Sequence, residues 1–454
     1  MNKSSLAPKN HPQRLLAALV ATSGVATLLG WGLKARSSAP PLPLPPTALL
    51  ATLPELPKNA PNATQRELQK WKRKAQESPD NPTHWLNLGD TLMQRARETA
   101  EHQYYDWAER AYRQTLTLAP QKSDAMTGLA WVAGGKHQFP QSIAWAQKAI
   151  ALNPQDSSAD GLIGDAQTEL GEYKAALVSY QKMLDIRPDL SSYSRGAQLL
   201  YLLGDTRKGM WLMTKAIKAG GEHAENTAWC QAKLAEMLQG EGAILPAENL
   251  LSEAQKTFPE SPPILNGLAK VKAARKLYPE AITLYEKALA LAPQPTGLAA
   301  LGDLYLATNQ PQKAEQTFIL VEKLYETHQK QGNTDTLSLA RFWADHDRQL
   351  PRALEIAQAH QDTKNAAQLD TIAWCFYKNG KLTEAKAVID RAVHATDPTP
   401  TVLFHAGMIY AKSGKNSQAQ RYLQQALSRN PYFSVLEART AEETLTTLGS
   451  KPTR

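Results

Sequence analysis

The fold is decided by three short stretches, Thr117–Pro120 (TLAP), Ala151–Pro154 (ALNP) and Asp185–Pro188 (DIRP). Each stretch closes a segment in which leucine, isoleucine and alanine recur at helical spacing. The three prolines are 34 residues apart, twice in succession. Because proline cannot continue a helix, each one marks the same position in a repeating helical unit. A fixed interval of this length is typical of proteins built from stacked pairs of short helices.

The same interval recurs along the rest of the chain. Further prolines and small residues are separated by 34 positions in each of these pairs: Pro259 and Pro293, Ser142 and Ala176, Ala247 and Ala281, Ala385 and Ala419. Residues that end helices and form turns stand between the apolar segments: Gly171, Gly204, Asn309, Gly380 and Gly414. A single unit cannot bury its apolar face alone, so the pattern predicts an all-α fold in which stacked units share one core.

This pattern resembles the tetratricopeptide repeat, a unit of two antiparallel helices that reads Trp-x2-Leu-Gly-x2-Tyr, then Ala-x3-Phe, then proline. Four units carry the resemblance: Leu301-Gly302-x2-Tyr305 with Ala314-x3-Phe318, Trp85-x2-Leu88-Gly89 with Ala108-x3-Tyr112, Ile163-Gly164 with Ala176-x3-Tyr180, and Ala406-Gly407-x2-Tyr410 with Ala419-x3-Leu423. The resemblance implies an all-α, right-handed superhelical solenoid of helix-turn-helix repeats. It also implies that small residues let the two helices of a unit approach, while Tyr112, Tyr180, Tyr285 and Phe318 fill the space between units.

The repeats define the expected domain organisation. We expect about ten units in residues 82–431, preceded by a capping helix at residues 64–81. A second capping helix and a tail are expected at residues 432–454. The less regular units are centred on Ala130, Gln198, Ala235, Ala269, Arg341 and Ala373.

The N-terminus predicts targeting to a membrane. Residues 1–14 are polar and basic, and residues 15–33 carry no charge, a length that spans about 28 Å as a helix. Lys34 and Arg36 follow at once, which favours an uncleaved transmembrane anchor with the bulk of the chain outside the cytoplasm. Ala35-Arg36-Ser37 leaves open a cleaved signal peptide and therefore a secreted or periplasmic protein.

Residues 34–63 are rich in proline and predict an extended linker. Proline lacks the backbone N–H group and restricts the residue before it, so we expect this stretch to exclude a helix. A semi-rigid linker of this kind would hold the repeats away from a bilayer.

The charge distribution argues against nucleic acid as a partner. The net charge is +8, and the five basic residues of positions 1–54, where no acidic residue occurs, supply most of it. The remaining basic residues are spread along the chain without a cluster. Since phosphate binding requires clustered lysine and arginine, we expect no nucleic-acid partner.

Motifs for catalysis, cofactors or metals occur only in incomplete form. Gly240-Glu241-Gly242 lacks the third glycine and the preceding strand of a dinucleotide site, and residues 130–136 lack the first glycine of a phosphate loop. Successive residues Asp345-His346-Asp347 point in different directions on a helix. Cys230 and Cys375 are too few for a metal framework and read as buried small hydrophobes. We therefore expect no enzymatic activity, no cofactor and no metal.

The predicted function is binding of a protein or peptide in the concave groove, which the first helices line in tetratricopeptide repeat proteins. The residues expected on or near that inner face are Trp131, Arg195, Asn266, Lys270, Phe342, Trp374, Tyr377 and Phe404. Exposed aromatic side chains at such positions are typical of partner docking, although each could instead pack between units. In particular, Trp374, Tyr377 and Phe404 are expected to form a partly exposed aromatic wall. Asp303 interrupts the Lys/Asn clamp that some relatives use for acidic chaperone tails, so such tails are not expected partners.

These observations together predict a membrane-tethered scaffold or adaptor that assembles complexes at a bacterial-type envelope. An exported soluble binding protein and an accessory subunit of an enzyme complex are the alternatives.

Overall fold

The structure, a computed structural model, describes residues 46–53, 62–221 and 224–449. Over these residues the chain forms α-helices and no β-strand. The helices are α1 (Pro46–Thr52), α2 (Ala63–Glu77), α3 (Pro82–Thr99), α4 (Gln103–Leu118), α5 (Ser123–Gly135), α6 (Phe139–Leu152), α7 (Ser157–Glu169), α8 (Tyr173–Ile186), α9 (Leu190–Leu202), α10 (Thr206–Ala219), α11 (Glu225–Gly240), α12 (Ile244–Thr257), α13 (Pro262–Ala274), α14 (Tyr278–Leu291), α15 (Pro295–Ala307), α16 (Pro311–Lys330), α17 (Leu337–Asp345), α18 (Leu350–Ala359), α19 (Ala366–Lys378), α20 (Leu382–Ala395), α21 (Pro400–Lys412), α22 (Asn416–Arg429) and α23 (Glu437–Thr447). The predicted fold class, an all-α solenoid of tetratricopeptide type, is confirmed.

Helices α3 to α22 form ten consecutive pairs, which we number as units 1 to 10. The two helices of each unit are joined by a turn of three or four residues, short enough to make them antiparallel neighbours. Helix α2 packs before unit 1 on α3, and helix α23 packs after unit 10 on α21 and α22.

Several helices begin where a side chain supplies the missing hydrogen-bond acceptor. The Asp156 carboxylate accepts the backbone N–H groups of Ser158 and Ala159, each at 3.1 Å. Asp189 and Ser192 form a reciprocal capping box at the start of α9. Such caps satisfy N–H groups that have no partner within the helix, and each contributes about 1 kcal/mol. Local sequence therefore sets where these units begin.

Glycine and a large aromatic residue bring neighbouring helices together. A Cβ atom added at Gly302 would lie 2.2 Å from Cε1 of Phe318, so only glycine fits at this contact. The Tyr112 ring lies between Gly89 of its own unit and Gly128 of the next one, where added Cβ atoms would approach it to 2.6 and 2.4 Å. The expectation that a ring of the second helix fills the space between successive units is confirmed for Tyr112.

The solenoid closes on itself after six units. Four hydrogen bonds of this closure share one pattern: the connection that precedes a later unit, or that precedes α23, donates to a backbone carbonyl near the end of the first helix of an earlier unit. Units 8, 9 and 10 are joined in this way to units 2, 3 and 4, and the connection before α23 is joined to unit 5. The contacts are Thr334 N–H to Lys136 O (3.2 Å), Asn365 Nδ2 to Glu169 O (3.0 Å), Asp397 N–H to Leu202 O (3.3 Å) and Asn430 Nδ2 to Gln239 O (2.8 Å). We call this line of contacts the seam.

Two glycines at the seam are required for their backbone shape and for their small size. Gly171 has φ +74°, and a Cβ atom there would lie 2.3 Å from the backbone carbon of Lys364. Gly204 has φ +91°, and its added Cβ would lie 2.9 Å from Cβ of Asp397. Gly380 has a similar φ of +73° but no atom within 4 Å of an added Cβ. The seam therefore restricts the first two positions more strongly than the turn alone does.

The expectation that proline excludes a helix from residues 34–63 is wrong at Pro46–Thr52, which form α1. Pro46 is the first residue of that helix, where a backbone N–H would have no partner and the fixed φ suits the helix. Leu49, Leu50 and Leu53 are buried at 3–4% exposure in the core that unit 1 shares with α2. Burial of these three leucines outweighs the low helix propensity of the surrounding sequence.

The predicted transmembrane anchor or signal peptide at residues 15–33 lies outside the described residues. Among the residues that the structure describes, no helix is both long enough and apolar enough to cross a bilayer.

Candidate binding channel

The first helices of units 1 to 7 surround a cavity of about 790 Å³, which we call the central cavity. Its wall is formed by side chains from alternate helices along the chain, α3, α5, α7, α9, α11, α13 and α15, together with Tyr285 of α14. This follows from the repeat, because the first helix of every unit occupies the inner face of the solenoid. The volume falls in the range of about 300–1,000 Å³ that ligand-binding pockets occupy.

Four of the eight predicted groove residues line the central cavity: Trp131, Arg195, Asn266 and Lys270. Arg195 Nε donates to both carboxylate oxygens of Asp165, at 2.9 and 3.0 Å, which holds the guanidinium against the wall. Asn266 Oδ1 is buried and has no hydrogen-bond partner in the protein. A carbonyl oxygen in this position can accept an N–H group from a ligand. The positions of these residues agree with their predicted orientation, and their role in binding stays a prediction.

The cationic side chains of the central cavity have carboxylate partners. Arg97 of unit 1 pairs with Glu225 of unit 5 across the cavity. Lys233 and Lys270 lie 2.8 and 3.8 Å from the carboxylate of Glu236. Burial raises the pKa of Glu236, but Lys270 and Lys233 outweigh burial and lower that pKa to about 2. Because the two lysines share this one carboxylate, the charged side chains of the wall leave a single net positive charge, whereas phosphate binding requires clustered, unpaired cations.

Two indole rings give the central cavity flat apolar surfaces. The Arg97 guanidinium lies 6.0 Å from the Trp131 ring centroid, and Lys233 Nζ lies 5.8 Å from that of Trp229. Indole rings at a polar wall combine a large contact area with hydrogen-bonding groups at the edge, a composition that is enriched where proteins bind proteins.

Three smaller cavities extend the central cavity, and we call the four together the channel. A cavity of about 530 Å³ shares Trp131 and Arg195 with the central cavity, and one of about 330 Å³ shares Lys270. A third, of about 340 Å³, shares Arg97 and Gln294 and reaches the seam. The four cavities therefore adjoin one another along shared wall residues.

The other four predicted groove residues lie apart from the central cavity, in units 8 to 10. Phe342, Trp374 and Phe404 are buried at 5%, 5% and 2% exposure, so the expectation of a partly exposed aromatic wall is wrong for Trp374 and Phe404. The physical reason is that Trp374 stacks on His405 of the next first helix, at a centroid distance of 4.0 Å. Tyr377 is half-buried and stacks on Trp374 at 4.7 Å. These rings pack successive first helices together.

An ion-pair network joins the first helices of units 8 to 10 to α23. Arg341 donates to Asp345 and Asp370 at 2.7 and 2.8 Å, and His405 binds Asp370 through Nδ1 at 2.8 Å while its Nε2 lies 3.4 Å from Glu437. Asp345, His405 and Glu437 have potential metal-ligand atoms within 4.8 Å of one another. The Arg341 guanidinium already neutralises Asp345, so the geometry fits an ion-pair network better than a cation site.

Within this network, the pKa values of His405 and Asp370 favour the charged form of each partner. Burial lowers the pKa of His405, but Asp370 and Glu437 outweigh burial and raise the pKa above its usual value. Burial likewise raises the pKa of Asp370, and His405 with Arg341 outweighs it and lowers that pKa. The result is an imidazolium–carboxylate pair inside the C-terminal units.

Comparison with known families identifies the repeat. Two tetratricopeptide repeat family models match the chain, one at residues 127–191 and 247–295 and the other at residues 400–433. The chain therefore contains tetratricopeptide repeats, as the 34-residue interval predicted. No curated protein matches the sequence.

Many solved structures are similar to this chain over long stretches. A human IFIT1 dimer with m7Gppp-AAAA is 14% identical, with 74% of this chain and 77% of that chain covered and a TM-score of 0.47. The APC/C hetero-tetramer Cut9–Hcn1 is 12% identical, with 89% and 98% covered and a TM-score of 0.40. YrrB, described as a tetratricopeptide repeat protein with an unusual peptide-binding site, is 14% identical, with 42% and 96% covered and a TM-score of 0.28.

Sequence reasoning missed several residues of the central cavity. Trp229 is absent from the predicted groove residues, although Trp229, Lys233 and Glu236 lie at helical spacing on one face of α11. That spacing could have identified the whole face. The pairing of Arg97 with Glu225 has no such signal, because it joins residues far apart in the chain.

Proposed function

We propose that this protein is a non-catalytic scaffold that binds an extended segment of a partner protein inside the channel. Tetratricopeptide repeat proteins generally mediate protein–protein interactions, and their folds are typically non-catalytic. The observation that carries the proposal is the convergence of Trp131, Arg195, Asn266 and Lys270 on one cavity wall.

The seam favours an extended partner over a folded one. A folded domain would have to break the hydrogen bonds between the turns of the solenoid before it could reach the central cavity. An extended segment can enter through the channel, and its backbone N–H groups offer donors for Asn266 Oδ1. Its apolar side chains would lie against Trp131 and Trp229, as at other protein–peptide interfaces.

We also propose that residues 15–33 tether the solenoid to a membrane, with the repeats outside the cytoplasm at a bacterial-type envelope. The proposal is supported by the uncharged run and the basic residues on either side of it. Since α1 begins at Pro46, residues 34–45 would connect the two and could reach at most about 40 Å.

The tether is tested by fractionation. We expect the full-length protein to stay with membranes through high-salt and alkaline extraction and to keep its N-terminus in mass spectrometry. A shorter chain in the soluble fraction would instead support the exported soluble protein, and co-purification with an enzyme would support the accessory subunit.

Channel binding is tested by placing a photo-crosslinking amino acid at Lys270, on the wall of the central cavity. We expect irradiation of cells to yield a covalent adduct, and we expect the linked peptide to come from a stretch without regular structure in the partner. The matched control carries the same amino acid at Lys256, whose side chain is 73% exposed on helix α12 and lines none of the four cavities.

Loss of the adduct in Trp229→Ala and its persistence in Lys256→Ala would support a ligand held by the cavity. Equal crosslinking from positions 270 and 256, or adducts only to the surface of a folded domain, would contradict it.

A further inference from the structure

Two histidines from different turns of the solenoid stack on each other at the seam. His102 precedes α4 in unit 1, and His328 lies on α16 in unit 7, so the pair spans the same six units as the other seam contacts. Their ring centroids are 3.8 Å apart, with an interplanar angle of 24°. Thr334 hydrogen-bonds to Lys136 beside them. The imidazoles therefore lie where the first turn meets the second.

The contact with Asn333 favours a neutral His102. The side-chain oxygen of Asn333 accepts the Asp335 backbone N–H at 2.7 Å, which orients the Asn333 amide. Its Nδ2 atom then faces His102 Nδ1 at 3.4 Å. Because Nδ2 is only a donor, this contact is a hydrogen bond only when His102 Nδ1 is unprotonated. A proton on that nitrogen would place two donors against each other.

Charged neighbours add to the cost of protonation. The titratable and charged groups of the elements packed around the pair are Arg97 of α3, Tyr105, Asp106 and Glu109 of α4, Lys136 and His137 after α5, Tyr325 of α16, and Asp335 before α17. Lys136 pairs with both Asp106 and Glu109, at 2.6 and 2.8 Å. Burial, followed by His328, His137 and Lys136, lowers the pKa of His102 to about 4, and burial lowers the pKa of His328.

The pair lines a side wall of the channel. His102, His328 and Asn333 border the cavity of about 340 Å³, which shares Arg97 and Gln294 with the central cavity. Separation of the two turns at this point would open the central cavity from the side. No other part of the seam among the described residues brings two histidine rings together.

We propose that the stacked pair of His102 and His328 is a pH-dependent gate: its protonation separates the two turns of the solenoid and admits an extended segment to the channel from the side. The separation of the two turns is inferred from the seam contacts alone, whereas the entry of a segment rests on the proposed function. Both imidazoles would become cations beside Lys136 and His137, and the hydrogen bond from Asn333 would be lost.

Opening is measured by energy transfer between dyes on cysteines introduced by Arg110→Cys and Lys323→Cys, at exposed positions on α4 and α16. The native thiols of Cys230 and Cys375 are buried, and burial raises the pKa of each to about 12, so they label slowly. If the opened His102 has a pKa near 6.5, the equilibrium constant for opening rises roughly 30-fold between pH 7.5 and pH 5. We expect transfer efficiency in the full-length protein to fall while helix content by circular dichroism stays constant.

The double variant His102→Gln/His328→Gln should keep high transfer efficiency at pH 5, because glutamine can form hydrogen bonds but cannot be protonated to a cation. The matched control His360→Gln, at an exposed histidine that follows α18, should respond to pH as the parent does. Three results would each overturn the gate: a transfer efficiency of the parent that is the same at pH 5 as at pH 7.5, an equal fall of transfer efficiency in the double variant, or a fall that accompanies loss of helix content. If transfer falls as expected but crosslinking at Lys270 fails at both pH values, the gate stands and the proposed function fails.

Discussion

The substitution Gly171→Ala should open the seam, and Gly380→Ala provides its matched control. Both glycines end a first helix in the left-handed conformation, with φ +74° and +73°. Alanine in that conformation costs about 1–2 kcal/mol at either position. At Gly380 nothing lies within 4 Å of the new Cβ, so this backbone strain should be the whole cost of the substitution.

At Gly171 the new Cβ meets backbone atoms of the next turn, 2.3 Å from the carbon of Lys364 and 2.5 Å from the nitrogen of Asn365. Backbone atoms cannot rotate away as a side chain can, so the two turns must separate to remove this overlap. Overpacking of this kind adds about 1–3 kcal/mol, which brings the total to about 2–5 kcal/mol. The hydrogen bonds from Asn365 Nδ2 to Thr168 and Glu169, at 3.3 and 3.0 Å, should be lost with it.

Urea denaturation gives the difference in stability between the two variants, and hydrogen exchange shows where it arises. We expect faster exchange at Ala366, whose backbone N–H donates to the Tyr173 hydroxyl at 2.9 Å, in Gly171→Ala alone. Equal losses of stability in the two variants, with unchanged protection at Ala366, would refute the seam as a stabilising contact.

Three further predictions test the packing of the units. Gly302→Leu should cost about 1–3 kcal/mol, because the new side chain must displace the Phe318 ring, and hydrogen exchange should rise in that unit more than at the ends of the array. His405→Gln should lose more stability at pH 6 than at pH 9. The reason is that the raised pKa of His405 stabilises the fold below about pH 6.5, and this stabilisation disappears as pH rises through the folded pKa. Equal losses in urea denaturation at both pH values would contradict the pair with Asp370. Tyr377→Ala should lower Tm by removing an aromatic stack of about 0.5–1.5 kcal/mol. An unchanged Tm would instead support the prediction that the Tyr377 ring is free to bind a partner.

Much of the cavity wall was predictable, and the physical reason is the repeat. The first helix of every unit faces inward, so the register of the repeat is enough to place Trp131, Arg195, Asn266 and Lys270 on the cavity wall. The same reasoning failed for Trp374 and Phe404, because an inward position is exposed only where the next first helix leaves room. In the C-terminal units the large rings fill that room themselves.

The sequence by itself determined the local structure of this protein: an interval of 34 residues, caps such as Asp189, and small residues such as Gly302 specify helix pairs through contacts within one unit or between neighbours. The tertiary structure alone decided that the solenoid closes. Contacts such as Thr334 with Lys136, and the stacking of His102 on His328, join residues about 200 or more positions apart. Their formation depends on the sum of small rotations over six units, and no local pattern in a sequence encodes that sum.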